Sequence, residues 1–564
     1  MRENKNKRIV VIGGVAAGTK AAAKARRQDP NAEITIYTNE KYISYAGCGQ
    51  PYYIGGEIAA KDALLARTPE QFQQASRINV HTSHKAVRID PHAKTVEILD
   101  LNSNQSFTAS YDALVIATGA SPIIPPLPGF DLPGVYAVRT VPDAEAMRSM
   151  LDSGKVKEAV VVGGGYIGLE MVENLVAQNV KVTVVEREPQ LAPLFDEEVA
   201  AHIRNALRHN GVDIITGSSL ESIQGSREYG VKSVMVGGRE IPADLVILSI
   251  GIRPNVQLAK EAGIELGSTG AIRVNERLQT NFPDIYAGGD CTESIQLVTG
   301  KPTWVPLGST ANKQGRVIGI NATGGDAVFP GVLGTGIFRV FDLNVARTGL
   351  IEKELKAEGI DYEAAIVAMD DKPHYMAGLQ KVIIKLLAEK SSRRLIGAEV
   401  WGRGKVDKVV DTLATVLYFK GTVDDAMQLD LAYAPPFAPA LGNVITAANV
   451  LQNKLDKNTE GILPMDVKKK IDLGDDDFVF VDVRPPEMRD QLCSMKDCLF
   501  IPMPTLKQNL ERLPKDKMVI TSCLIGMTAA QAYRVLKQNG FPNVRYMDGG
   551  VTAWPDPVPN PDKK

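Results

Sequence analysis

The chain has 564 residues, 44% hydrophobic and 23% charged, with a formal net charge of −2; this implies three or four soluble globular domains and gives no electrostatic reason to expect nucleic acid or an acidic membrane surface as a partner. No apolar run approaches the ~20 residues that span a bilayer, and MRENKNKR leads into the strand IVVIGG with no apolar leader between them. Five cysteines, an odd number in a long chain, do not make a disulfide framework, so a reducing, cytoplasmic setting is expected.

Residues 8–18, RIVVIGGVAAG, followed by an alanine-rich helix to Arg27, read as a dinucleotide-binding βαβ opening. The turn lets backbone N–H groups and a helix N-terminus approach a pyrophosphate. Gly13 and Gly18 fit the G-x-G-x-x-G spacing, and Val15 stands at the middle glycine's place. The next strand, EITIYT, ends at Thr38, where an acid that binds ribose is usual; Glu40, two residues on, is the candidate substitute.

Residues 43–56, ISYAGCGQPYYIGG, contain Cys48, the only cysteine before residue 291. A dithiol enzyme would carry a second cysteine nearby. A redox-active Cys48 must therefore take its partner atom from a substrate or pass through its own oxidation; the alternative is a small packed hydrophobe. YDALVIATGASP at 111–122 is an apolar strand ending in the small-residue turn Ala117, Thr118, Gly119. At 159–187, Gly163, Gly165 and Gly168 satisfy the glycine spacing fully, and VTVVE ends in Glu186, placed to accept from a ribose 2′-OH and to repel a 2′-phosphate. NADH is therefore favoured over NADPH, a preference that the adjacent Arg187 weakens. TNFPDIYAGGDC at 280–291 ends a strand in Gly288, Gly289 and Asp290, and Cys291 reads as packing.

In this order the four segments resemble the pyridine nucleotide–disulfide oxidoreductase family, whose FAD domain is split around an inserted NAD domain. The resemblance implies FAD on Gly13, Gly14, Ala17, Gly18, Glu40, Ala117, Thr118, Gly119, Gly289 and Asp290. It implies the pyridine nucleotide on Gly163, Gly165, Gly168 and Glu186, with Tyr166 near the nicotinamide approach. ISYAGCGQPYYIGG is similar to the single-cysteine segment of coenzyme A disulfide and persulfide reductases, which implies Cys48 as nucleophile, Ser44 as a substrate contact, and Lys24 and Arg27 near the substrate's phosphates; for Arg27 the alternative is a solvated helix end. HYMAGLQKVIIKLL with Tyr375 and DLAYAPPFAPALGNV with Tyr433 resemble the family's two tyrosines, given by the partner subunit to the other active site, and so imply a homodimer with shared sites. Departures from the subgroup fall on substrate contacts: Gly47 replaces an asparagine, Leu441 a lysine and Asn312 a histidine. Fewer charge-assisted contacts should weaken a polyanionic carrier such as coenzyme A and make a smaller persulfide or polysulfide credible.

After a polar, lysine-rich stretch, FVFVDVRPPEM at 478–488 and KMVITSCLIGMTAAQAYRVLKQNGFPNVRYMDGGVTAW at 517–554 resemble a rhodanese domain. Cys523, between the strand VITS and a helix, faces backbone N–H groups that favour a thiolate or persulfide; it is the candidate sulfur carrier. Thr528 holds the place of that family's loop arginine, which leaves an inactive structural domain as the alternative. Cys493 and Cys498 read as structural and make a poor metal site.

The expected fold class is α/β: two doubly wound dinucleotide-binding domains, for FAD (1–122 with 251–330) and NAD(P)H (123–250), an α+β dimerisation domain (331–450), a linker (451–465) and a rhodanese-like α/β domain (466–560). The expected function is FAD-dependent NAD(P)H oxidoreduction of disulfide, persulfide or polysulfide sulfur through Cys48, without metal, nucleic acid or membrane, and with coenzyme A as a candidate substrate or adduct. Two alternatives stand beside it: a single-cysteine NADH oxidase or peroxidase cycling through Cys48 sulfenic acid, and a redox-sensing sulfur carrier of low turnover.

Overall fold

The structure is a computed structural model and describes residues 6–491 and 498–556, without the side chains of 489–491; Cys493 lies outside the described residues. The chain forms two compact units, residues 1–187 with 218–332 and residues 188–217 with 333–564.

The first unit is built on two parallel sheets. In one, strands Ile285–Ala287, Ala113–Ile116, Arg8–Ile12, Glu33–Tyr37 and Ile78–His81 lie side by side in that order. The run RIVVI is apolar on both pleat faces because both are covered. Ile9 and Val11 meet Ala21, Ala22 and Ala25 of helix Ala16–Gln28, whereas Val10 and Ile12 meet Ile89, Val96 and Ile98 of the antiparallel strands His84–Asp90 and Thr95–Asp100. The helix stops at Asp29, ahead of Pro30, where the pre-proline position disfavours helix. Helix Gly308–Asn321 packs closely on it: a Cβ at Gly315 or Gly319 would come within 2.5 Å of the carbonyl oxygens of Ala17 and Ala21. The other sheet places Val135–Tyr136, Leu245–Leu248, Glu158–Val162 and Lys181–Glu186 in parallel, with helix Tyr166–Ala177 after the second glycine turn.

The second unit has an antiparallel sheet ordered Gly336–Val340, Leu343–Gly349, Leu395–Gly402, Lys381–Glu389, Tyr362–Asp370. Helices Val406–Tyr418 and Asn443–Leu455 pack on its strands. Lys385 and Glu399 are register partners on adjacent strands, and both are fully buried. Lys385 Nζ lies 2.9 Å from Asp196, 3.0 Å from Glu198 and 3.6 Å from Glu352, and the Asp196 backbone N–H donates to Glu399 Oε1 at 2.9 Å. A parallel sheet follows, ordered Gly461–Ile462, Val544–Met547, Met518–Ser522, Phe478–Asp482, Leu499–Phe500. The 451–465 stretch, expected as a linker, holds ordered elements: helix Asn443–Leu455 extends into it, Lys454 is buried, and Gly461–Ile462 is a strand of this sheet. Among the described residues no helix is long and apolar enough to cross a membrane, and no cluster of ligating side chains fits a metal.

Candidate functional site

In the first unit a cleft of about 870 Å³ runs along the carboxyl ends of the first parallel sheet. That volume suits a large organic cofactor. Gly13, Gly14, Ala17, Glu40, Ala117, Thr118, Gly119, Gly289 and Asp290 line it, so nine of the ten residues expected at FAD converge on one cavity. The tenth, Gly18, supports the turn from behind: a Cβ there would stand 2.0 Å from Gly13 O. Gly13 has φ +111°, and its own Cβ would stand 2.0 Å from Ala117 O, so the backbone itself demands both glycines.

The second turn repeats this. Gly163 has φ +106° with Ser249 O at 2.3 Å from a built Cβ, and a Cβ on Gly168 would stand 2.0 Å from Gly163 O. Gly165 differs from these, since a Cβ on it would meet no protein atom within 4 Å. The middle position therefore faces open space, and no protein contact demands a glycine there. Tyr166 opens the following helix. Glu186 is buried, and its Oε2 accepts from Gly164 N–H at 2.8 Å, which aims the carboxylate into the turn.

Glu40 is tied into a network that spacing did not reveal. Tyr45 Oη donates to Glu40 Oε2 at 2.6 Å, Arg139 Nη1 donates to Tyr45 Oη at 3.1 Å, and Arg139 Nε donates to Ala120 O at 2.9 Å. Burial is the main cause that raises the Asp290 carboxyl above its ordinary value, with Arg139 opposing it. Arg139, Arg253 and Asn255 also line the cleft. Asn255 Nδ2 donates to Thr118 O at 2.9 Å, and Thr118 Oγ1 donates to Asn255 O at 2.7 Å. These three residues lie far from any glycine motif, and no sequence signal marks them. The residues present fit a bound flavin dinucleotide: a glycine turn too tight for any side chain, the cations Arg139 and Arg253, and the half-buried acids Glu40 and Asp290 around a cavity of the right size.

Cys48 is exposed in a short 3₁₀ turn, Gly47–Gly49, ahead of the turn of helix Gln50–Ile54. Surrounding protein is the main cause that pushes its thiol up, and Glu170 and then Asp290 add to it. Ser44 takes left-handed backbone, φ +52°, with its N–H on Gly14 O at 2.7 Å and its carbonyl on Ala66 N–H at 2.8 Å. A non-glycine residue held there is strained, and here it fastens the Cys48 segment to the glycine turn. Cys291, the other cysteine of this unit, is fully buried with its Sγ 3.4 Å from Gly288 O. Lys24 is half-buried and donates to Gln28 at 2.6 Å; Arg27 is exposed near the helix end.

In the second unit Tyr375 and Tyr433 are exposed at 62% and 50%, and a hydrogen bond to Tyr433 is the main cause that raises the Tyr375 phenol. They meet although 58 residues separate them in the chain. Cys523 is 3% exposed between strand Met518–Ser522 and helix Met527–Gln538, and its Sγ accepts from Ala529 N–H at 3.3 Å. The stretch Cys523–Thr528 contains no lysine or arginine.

The family pattern described as pyridine nucleotide-disulphide oxidoreductase matches residues 7–311, more than half of the chain. The chain belongs to the pyridine nucleotide-disulphide oxidoreductase family. The dimerisation domain of this oxidoreductase family matches residues 337–445, and a rhodanese-like domain matches 463–556. Among curated relatives, the NAD(P)H coenzyme A polysulfide/persulfide reductase of Pyrococcus horikoshii is 37% identical over 80% of this chain and 100% of its own. Two solved structures align over 97% of the chain: the NAD-dependent persulfide reductase of A. fulgidus, 42% identical, TM-score 0.91, 100% of its length, and reduced Bacillus anthracis CoADR-RHD, 36% identical, TM-score 0.91, 98% of its length. The oxidoreductase carries its rhodanese-like domain at the C-terminal end, as the sequence predicts.

Proposed function

We propose that this oxidoreductase reduces persulfide or disulfide sulfur on a small thiol, of the coenzyme A type, at Cys48 with electrons from NAD(P)H. The observation that carries this reading is an exposed lone thiol under the influence of a cofactor-lining aspartate, with the only other cysteine of its unit fully buried. Such a thiol has no disulfide partner among the described residues of its own unit, which supports a second sulfur that arrives with the substrate.

The Cys48 thiolate attacks the inner sulfur of R–S–SH, the new Cys48–S–S–R bond forms, and HS⁻ leaves. With R–S–S–R the same attack expels R–S⁻. A bound flavin, reduced by the pyridine nucleotide, would supply the two electrons that return the mixed disulfide to Cys48 thiolate and R–SH. Gly13 and its neighbours, Glu40, Thr118 and Asp290 would hold that group; Gly163, Gly165, Gly168 and Glu186 would hold the nucleotide, with Tyr166 at its approach. Ser44 fastens the Cys48 segment to the glycine turn through its N–H on Gly14 O and is placed to contact the substrate. Lys24 and Arg27 offer charge to the substrate's phosphates. Tyr433, supported by Tyr375 and supplied by the partner subunit of a homodimer, donates a proton to the leaving sulfur. Cys523 serves as sulfur carrier: its thiolate takes the terminal sulfur of R–S–SH, giving Cys523–S–SH and R–S⁻.

The test is anaerobic NADH oxidation by the purified dimer with coenzyme A disulfide, coenzyme A persulfide and polysulfide, then with oxygen or peroxide. Turnover with the sulfur compounds, lost at least 10³-fold in Cys48→Ser with flavin content unchanged, is expected. Turnover confined to oxygen or peroxide, or a Cys48→Ser enzyme of normal rate on sulfur compounds, overturns the proposal.

A further inference from the structure

Asp548 is fully buried immediately after strand Val544–Met547. Its Oδ2 accepts from Lys454 Nζ at 2.8 Å and from the Ile366 backbone N–H at 3.3 Å, and its Oδ1 has no partner among the described residues. Lys454, itself buried, also donates to Ala364 O at 2.5 Å and lies 3.6 Å from Glu363. A buried ion pair of this kind gains little over an apolar pair of equal volume, so stability alone does not account for it.

The pair lies at the seat of the sulfur loop. Gly549 and Gly550, next after Asp548, both take positive φ, and a Cβ on Gly550 would fall 2.3 Å from Cys523 O and 2.7 Å from Ile525 N. Val551 N–H donates to Cys523 O at 2.9 Å and Thr552 N–H to Leu524 O at 3.0 Å. The Cys523 loop therefore rests directly on the turn that Asp548 begins.

The groups gripping Asp548 come from strand Tyr362–Asp370 and helix Asn443–Leu455. The strand continues within five residues to Tyr375, and the helix starts ten residues after Tyr433. Asn443 Nδ2 donates to Asp370 O at 3.3 Å, closing the tyrosine end of the same strand–helix pair. The helix, ~20 Å long at 1.5 Å per residue, thus runs from the tyrosine loop to the sulfur loop.

We propose that Lys454 and Asp548 are positioning residues that seat the Cys523 loop in one register against the strand and helix bearing the tyrosine loops. The proposal rests on Cys523 as the sulfur carrier. With the grip released, the loop shifts against the helix whose Ala529 N–H donates to Cys523 Sγ at 3.3 Å, and the sulfur loses that donor.

The test uses the full-length flavin-loaded dimer in a Cys48→Ser background, as Lys454→Met and as the apolar pair Lys454→Met with Asp548→Leu. The pH profile of Cys523 alkylation by iodoacetamide is read by peptide mass spectrometry, and thiocyanate formation from glutathione persulfide and cyanide, above the enzyme-free rate, is read alongside. The expected result is a midpoint at least half a pH unit higher and thiocyanate formation at least tenfold slower in both variants, with the melting midpoint restored in the apolar pair. A Cys523 profile unmoved in Lys454→Met, or restored together with the melting midpoint in the apolar pair, overturns the positioning role. Absence of thiocyanate in the Cys48→Ser parent overturns Cys523 as carrier instead, and the alkylation profile then still decides whether the pair seats the loop.

Discussion

Replacing Lys385 by methionine removes the ammonium that faces four buried or nearly buried carboxyl groups. Asp196, Glu198 and Glu352 lie 2.9, 3.0 and 3.6 Å from Lys385 Nζ, and the fourth, Glu399, is raised well above its ordinary value by burial and then by Asp196. Stranding buried charge in this way costs about 3–5 kcal/mol. At ~2–4 °C per kcal/mol for a large domain, the apparent melting midpoint should fall by roughly 6–20 °C. The sign of the pH dependence follows from the groups themselves. Burial opposes the Lys385 charge, but Glu198, Asp196 and Glu352 raise it well above the ordinary lysine value, so its contribution is complete below pH ~10 and is lost only above that. Burial also opposes the Asp196 charge, yet Lys385 holds it below the ordinary value, so its contribution is present above pH ~4 and fades as pH falls through the lowered value. Without the ammonium the carboxylates hold protons more tightly when folded than when unfolded, and the deficit therefore grows with pH. Melting curves of the flavin-loaded protein at pH 5 and pH 8, followed by circular dichroism, should show the larger drop at pH 8, partly recovered by adding Glu198→Gln. A drop under ~2 °C at pH 8, or equal drops at both pH values, would refute the reasoning.

Three further outcomes are expected. Gly163→Ala forces a Cβ to 2.3 Å from Ser249 O at φ +106°, a strain of about 1–3 kcal/mol, and KM for NADH should rise at least tenfold; an unchanged KM counts against the turn as the nucleotide seat. Glu186→Ala removes the acceptor of Gly164 N–H and should raise KM for NADH about tenfold while changing KM for NADPH less, so an unchanged ratio of the two constants removes the specificity role. In flavin-free protein the Cys48 thiol, pushed up by the protein around it and then by Glu170 and Asp290, should alkylate with iodoacetamide at a rate still climbing above pH 9, with Glu170→Gln moving the profile down; a plateau already reached at pH 7 contradicts this.

The glycine turns, the strands feeding them and the thiol segment were legible because their chemistry is local. Gly13 with Gly18, and Gly163 with Gly168, are demanded by backbone contacts within a few residues and across one strand, so spacing alone exposes them. The imperfect match at Val15 has a physical reading: a Cβ on its counterpart Gly165 would meet no protein atom within 4 Å, so the fold does not demand a glycine at that position. Arg139 and Asn255 reach the cleft from loops that follow strands Val135–Tyr136 and Ile252–Pro254, and a site assembled across a hundred residues leaves no periodic trace. Lys385 did leave one, a lysine in the middle of the apolar strand KVIIKLLAE facing the glutamate of LIGAEVWG. A charge that interrupts two neighbouring apolar runs announces a buried pair. The polar composition of 451–465 misled, because Lys454 reads as solvated while its ammonium is spent on Asp548.

The close seating of helix Gly308–Asn321 on helix Ala16–Gln28, together with strand Ile285–Ala287 on Ala113–Ile116, ties the order of birth of the chain to its folding. The first strands leave the ribosome early but lack an edge strand and a helix encoded roughly 170 to 310 codons later. At ~5–20 residues per second they stay open for on the order of 10–60 s, while the interposed second sheet already has all its strands. A nascent chain stalled before residue 285 should therefore bind trigger-type chaperones through the uncovered RIVVI and ALVI strands and release them once residue 321 has emerged.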